Sequence, residues 1–216
     1  SLLANNTNLD GFGSSFNILN LSNTTTNSAN AANGGNTIAI SLQQGFSGVN
    51  DLIASDLGFD PILDFSGFAG LSLEGSVSIA RESDVRSTVG FYKIQNSNGA
   101  VLDPTTGDLI TPGSSGYAES ALHSSNLFSS FGTLSTNDGN TITSSITSFS
   151  DAAMIAPYAT TPNNGQTYFS FTEENADGIS HFREFGNGVI GFEDIYGGGD
   201  NDFDDLIFGF DLKLTV

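Results

Sequence analysis

The feature that most constrains this chain lies at its C-terminus, where Leu206, Phe208, Phe210, Leu212, Leu214 and Val216 occupy every second position over eleven residues. A period of two places all six side chains on one face of a β-strand, and no helix satisfies it. That face has to be covered by a second layer. Leu71, Leu73, Val77 and Ile79 alternate with Ser72, Glu74, Ser76 and Ser78 in the same way. Short β-branched or aromatic runs at residues 89–94 and 168–172 add further strands. Turn chemistry separates them at Asn98-Gly99, Asp103-Pro104, Thr111-Pro112-Gly113, Asp138-Gly139 and Asn163-Asn164-Gly165. No βαβ pattern interrupts the series. The expected fold is all-β, an antiparallel β-sandwich or jelly-roll-like architecture, with one or two short helices. Spacing predicts one helix over residues 47–57 and a turn or two of helix over residues 116–123.

The chain divides by charge. Residues 1–50 hold one charged side chain, Asp10, and residues 20–36 are almost wholly Asn, Ser, Thr, Ala and Gly, the composition of a spacer. Phe12, Phe16 and Ile18 precede that spacer and Ile38, Ile40 and Leu42 follow it, both with strand-like alternation. The expected organisation is therefore a low-charge, β-prone arm over residues 1–61 and a sandwich domain over residues 62–216. Such an arm either packs on its own domain or adds a strand to a neighbouring copy, with residues 1–36 as the donor.

With 24 acidic and 5 basic side chains the net charge is −19, which disfavours nucleic acid and anionic lipid as partners and favours cations. No cysteine is present, so neither a disulfide scaffold nor a thiolate metal site is available. No apolar run approaches the roughly 18 residues of a membrane-spanning helix, and membrane insertion is not expected. A start at Ser1 without a basic leader fits a mature chain after signal removal or a trimmed one.

Immediately before the C-terminal stripe, Glu193, Asp194, Asp200, Asp202, Asp204 and Asp205 place six carboxylates within thirteen residues, around Gly197, Gly198 and Gly199. No basic residue interrupts them. So many like charges oppose a compact loop unless a cation neutralises them or the loop stays open to water. Calcium takes six to eight hard oxygens, which acids at alternate positions such as Asp200, Asp202 and Asp204 supply together with backbone carbonyls. The glycines give the backbone the freedom to turn those groups inward. The loop lacks the glycine and the twelfth-position glutamate of an EF-hand, and a set without Cys or His disfavours zinc. Ca2+ is the expected cofactor. Glu82, beside Arg81 and ahead of the run at residues 89–94, reads from its surroundings as a strand-end charge. His181 and Arg183 read as a satisfied pair on a strand surface, and Asp177-Gly178 as a turn.

The stretch Gly191-Phe-Glu-Asp-Ile-Tyr-Gly-Gly-Gly-Asp-Asn-Asp-Phe-Asp-Asp-Leu206 resembles the signature of the domain-of-unknown-function family numbered forty-one fourteen. Val89-Gly-Phe-Tyr-Lys-Ile94, Val101-Leu-Asp-Pro-Thr105, Pro112-Gly113 and Gly116-Tyr117-Ala118 resemble its N-terminal half, so the likeness runs over about residues 62–216. The resemblance implies a β-rich extracellular module of cyanobacterial and other bacterial secreted proteins, often attached to adhesins and matrix proteins, with calcium held by the acidic signature. Carried over by position, the implied ligands are Glu193, Asp194, Asp200, Asp202 and Asp205. Asp204 stands where many family members have Asn, and Glu82 where the family often carries an acid, which makes it a further candidate ligand.

Enzymatic activity is not expected: there is no Trp or Cys, no G-x-S-x-G elbow and no H-E-x-x-H, and His123 and His181 are the chain's two histidines. The expected function is a secreted calcium-binding structural protein, a self-assembling fibre, matrix or cell-surface adhesion subunit. A calcium-dependent carbohydrate-binding module, with surface polysaccharide as partner and Tyr196 as the loop's stacking aromatic, is the alternative.

Overall fold

A computed structural model of the protein describes residues 58–162, 165–186 and 188–214, together with the backbone of two short strands, β1 (Thr7–Asn8) and β2 (Ser15–Phe16), which pair with one another. The helix expected over residues 47–57 and the strand around Ile38 lie outside the described residues. From residue 58 the strands run β3 (Gly58–Phe59), β4 (Leu63–Asp64), β5 (Leu73–Arg81), β6 (Thr88–Ile94), β7 (Val101–Leu102) and β8 (Leu109–Ile110). After a short helix, α1 (Tyr117–Ala121), come β9 (Thr141–Phe149), β10 (Met154–Thr161), β11 (Gln166–Phe169), β12 (Phe182–Gly186), β13 (Val189–Phe192) and β14 (Leu206–Leu214).

Every ladder is antiparallel, as expected of an all-β sandwich. One sheet has six strands in the order β3-β12-β13-β14-β5-β9, and the other is built on β10, flanked by β6 on one side and by β11 and β4 on the other. The C-terminal stripe behaves as its period dictates. Leu206, Phe208, Phe210 and Leu212 are fully buried in the core, where Phe91 of β6 meets Phe208 and Phe210 edge-on at 5.7 Å from the facing sheet. Tilted and edge-to-face rings suit the aromatic quadrupole, and truncating one such ring costs about 3–5 kcal/mol. β5 pairs with β14 over nine residues and contributes Leu73, Val77 and Ile79. Leu71, which the alternation assigns to the same face, precedes the strand and is 48% exposed.

The outer face of the smaller sheet is also covered. Tyr92, Ile94, Ala156 and Phe169 pack there against Val101 and the α1 residues Tyr117 and Ala121. Tyr117 donates its hydroxyl proton to the Gly99 carbonyl at 2.7 Å, so the 3.1 Å contact with Tyr92 is one in which Tyr92 donates. Gly99 is required for this packing: its φ is +78°, and a Cβ there would lie 2.4 Å from the Phe171 ring.

Pro157 stands within a central strand, a position normally closed to proline. β4 pairs only with Met154 and Ile155 and β11 only from Tyr158 onward, so the missing N–H falls in the gap between them. The Pro157 carbonyl, on that same side, accepts from Ser170 N at 3.1 Å. Residues 58–61 are built into the sandwich. β3 pairs with β12, Ser170 Oγ donates to the Pro61 carbonyl, and Asp60 accepts from the Thr172 backbone and hydroxyl.

One rung of the six-stranded sheet positions the acidic loop. Phe182, Phe192, Leu206 and Arg81 are cross-strand neighbours in sequence across β12, β13, β14 and β5. Whatever follows Arg81 and Phe192, or precedes Phe182 and Leu206, therefore emerges at the same end. Among the described residues no helix is long and apolar enough to cross a membrane.

Candidate metal centre

Past that rung the ladder continues for one step, with Glu193 N donating to the His181 carbonyl at 2.9 Å and Glu82 N to the Asp205 carbonyl at 3.3 Å. Four segments thus deliver Glu82, His181, Glu193 and Asp205 side by side. The β13–β14 loop then folds back over them. Gly197, Gly198 and Gly199 all take positive φ, and so do Asn201 (+59°) and Phe203 (+60°). For Phe203 that conformation costs on the order of 1–3 kcal/mol, and burial of its ring offsets the cost. The Phe203 carbonyl lies flat on β13, where a Cβ at Gly191 would stand 2.2 Å from it. Gly191 therefore lets the loop lie against the outer face of the sheet. Arg183 seals the contact, its guanidinium lying 5.6 Å from the Phe185 ring centroid and 6.0 Å from that of Phe203.

The fold-back buries most of the acids. Glu193, Asp194, Asp202 and Asp204 are buried, Asp205 is half-buried, and Asp200 is exposed. Carboxylate oxygens of Glu193, Asp200 and Asp202 lie within 4.8 Å of one another, and those of Glu193, Asp194 and Asp205 form a second such group. Glu193 belongs to both. Its Oε1 accepts from Ile195 N at 3.3 Å, whereas Oε2 is buried with no hydrogen-bond partner. A Cβ on Gly199 would come 2.6 Å from Oε1, so glycine there leaves room for the carboxylate.

Without a cation these groups resist ionising. Burial pushes the Glu193 carboxyl up to about 9, with Asp205 adding repulsion, and burial pushes Asp204 equally far, with Asp202 adding to it. Asp205 rises to about 7 through burial and the Asp194 charge. Asp194 also rises through burial, although the Ser83 hydroxyl, donating to its Oδ2 at 2.6 Å, and the charge of Arg81 restrain it. A divalent ion removes the repulsion without requiring protons. Hard oxygens alone, converging from several segments on an unsatisfied buried carboxylate, fit calcium.

Of the residues singled out in the sequence, Glu193, Asp194, Asp200, Asp202 and Asp205 meet in the two triads, and Asp204 and Glu82 stand outside both. Asp204 is nevertheless buried, its backbone N–H donating to Asp202 Oδ1 at 3.3 Å, and Glu82 is near enough to repel it. His181 and Arg183 are not a surface pair. His181 is fully buried and stacks on Tyr168 at 3.7 Å, because the chain approaching β12 runs beneath the loop. Its Nδ1 donates to the Glu193 carbonyl at 2.6 Å and its Nε2 to Asp177 at 2.9 Å. Asp177 is thereby more than a turn residue. It also accepts from Gly197 N, and although burial works to raise its pKa, these hydrogen bonds hold it below the ordinary range. Ser83, Asp177, Gly191 and Phe203 are not legible as site residues in the sequence; the dense Gly-Asp context of Phe203 is the one hint.

Residues 136–213 match the family model described as a domain of unknown function (DUF4114). The match spans β9 to β14 and contains the whole acidic loop, which bears out the likeness read from the sequence over that stretch. Residues 62–135 lie outside it. No curated protein and no solved structure matches the chain.

Proposed function

We propose that this is a secreted, non-enzymatic calcium-binding module in which the ion fastens four strand ends of a β-sandwich, used as a structural subunit of an extracellular fibre, matrix or cell-surface adhesin. The observation that carries the reading is Glu193, a fully buried carboxylate with an unsatisfied oxygen shared by two acidic triads. A brace at that point ties β5, β12, β13 and β14 together. The building-block role draws support from β9, which among the described residues is an edge strand, nine residues long without a charged side chain or proline, in a chain of net charge −19. Such an edge accepts an added strand, and the uncharged tract within residues 1–36 of a neighbouring copy is the proposed donor.

Extracellular calcium modules bind at about 10⁻⁴ M, and calcium at a hundredfold excess over that stabilises the native state by roughly 2.7 kcal/mol. Thermal melts in calcium and in chelator test the reading, and an identical melting temperature in both overturns it. Deleting residues 1–36 is expected to abolish assembly and leave calcium binding intact; polymers that persist would exclude strand donation.

A second reading, a calcium-dependent lectin-like module for surface polysaccharide, is favoured by one feature. Ile195 and Tyr196 are 51% and 57% exposed at the loop beside the exposed Asp200, where an ion with open coordination positions could hold sugar hydroxyls. Calcium-dependent retention on glycans, lost in Tyr196→Ala, distinguishes it.

A further inference from the structure

We infer that the loop holds two divalent cations bridged by Glu193, one against Asp200 and Asp202 and the other against Asp194 and Asp205. The inference rests on the calcium reading above and goes beyond it in stoichiometry and in the assignment of ligands. Three observations carry it. The two triads share only Glu193, so their other members form two groups, one from the loop tip and one from the strand ends. Glu193 is itself fully buried and has an oxygen without a donor, as a carboxylate requires if it is to face a cation on each side.

The third is charge. Glu82, Glu193, Asp194, Asp200, Asp202, Asp204 and Asp205 converge here, against Arg81 and His181 as the basic side chains that act on Asp194. Arg81 is buried, and its Nε and Nη1 make no hydrogen bond, so it balances Asp194 through space rather than by direct pairing. His181 is already matched by Asp177 at 2.9 Å, so the seven carboxylates stand against Arg81, and one divalent ion leaves an excess of four negative charges in a largely buried cluster where two ions leave two. A low-dielectric site favours the second arrangement strongly. The exposure of Asp200 against the burial of Asp194 further implies unequal sites, with the tip ion exchanging faster.

The test is calcium titration of the metal-stripped full chain by calorimetry, with native mass spectrometry to count ions, on wild type, Asp200→Asn, Asp194→Asn and Glu193→Gln. Wild type is expected to bind two equivalents that Glu193→Gln lacks, and each aspartate substitution is expected to remove one and leave the other. Should Glu193→Gln not fold, Asp200→Asn alters an exposed side chain and is decisive alone, by leaving one equivalent of two. A single equivalent in wild type, or loss of both in Asp200→Asn, overturns the two-ion arrangement and leaves the calcium reading standing. Zero uptake by wild type overturns both.

Discussion

The two ends of strand β13 bury carboxylates in different ways. At the hairpin with β12, Glu184 is alone and only 2% exposed. Its Oε1 accepts from Gly188 N at 3.1 Å, its Oε2 has no partner, and burial pushes its pKa up to about 8. At the other end, burial is compounded by neighbours: Glu193 feels Asp205, Asp204 feels Asp202, and Asp205 feels Asp194. A lone buried acid is satisfied by one proton, so an orphaned oxygen does not by itself indicate a metal. A crowd of acids would have to carry several protons at once, and a divalent ion meets that demand more simply. Burial is the largest cause at both ends; what sets the loop apart is the repulsion added to it, and that repulsion is what the proposed calcium would relieve.

The most disruptive way to break this comparison is Gly191→Ala. A Cβ 2.2 Å from the Phe203 carbonyl lifts the loop off the sheet, and the expected loss is about 3 kcal/mol in chemical denaturation together with the calcium response. Chelation of the wild type comes next. A loss of roughly 2.7 kcal/mol lowers the melting temperature by about 5–10 °C, read by calorimetry, and Glu184→Gln should leave that difference unchanged. Replacing Asp200 and Asp202 together with Asn is expected to remove the tip ion's share of the calcium-dependent rise in melting temperature and to leave the share of the ion held by Asp194 and Asp205; a full rise in the double variant would contradict their role as ligands.

The last effect concerns pH and sharpens the contrast. Glu184 has a folded pKa raised above its ordinary 4.5, so the stability it contributes is fully present below about 4.5 and is lost as pH rises towards 8. Glu193, Asp204 and Asp205 produce a larger decline of the same sign in the metal-free protein, extending to about pH 9. In saturating calcium the loop's share should vanish. The decline that remains should disappear in Glu184→Gln, as melting curves from pH 5 to 9 in calcium and in chelator would show.

How much of this is readable in the chain depends on contrast between neighbouring residues. The β14 stripe sets Phe and Leu against Gly, Asp and Lys, and its face is unambiguous. β9 and β10 have no such contrast and escape the sequence pattern. Thr141–Phe149 is mostly Thr and Ser, with one inward residue, Ile146, buried in its first eight, and so reads as loop. Met154–Thr161 is buried along most of its length and carries Pro157, which local rules assign to a turn or edge. The acidic loop stands out because thirteen residues suffice to show it. Phe203 does not, because its value lies in a glycine twelve positions earlier, and His181 looks superficial because nothing local indicates that a loop will fold over it.

By itself the sequence determined the β class, the position of the core-facing stripe and the presence of a charge problem between two strands, since each depends on residue type and spacing along the chain. Only the tertiary structure decided how that problem is posed. Strand register set Arg81, Phe192, Leu206 and Phe182 on one rung, and with it brought Glu82, His181 and Asp194 to a loop that is remote from the first of them in sequence. Burial and cross-strand proximity are properties of pairs of segments, and pairs form only when the sheets close.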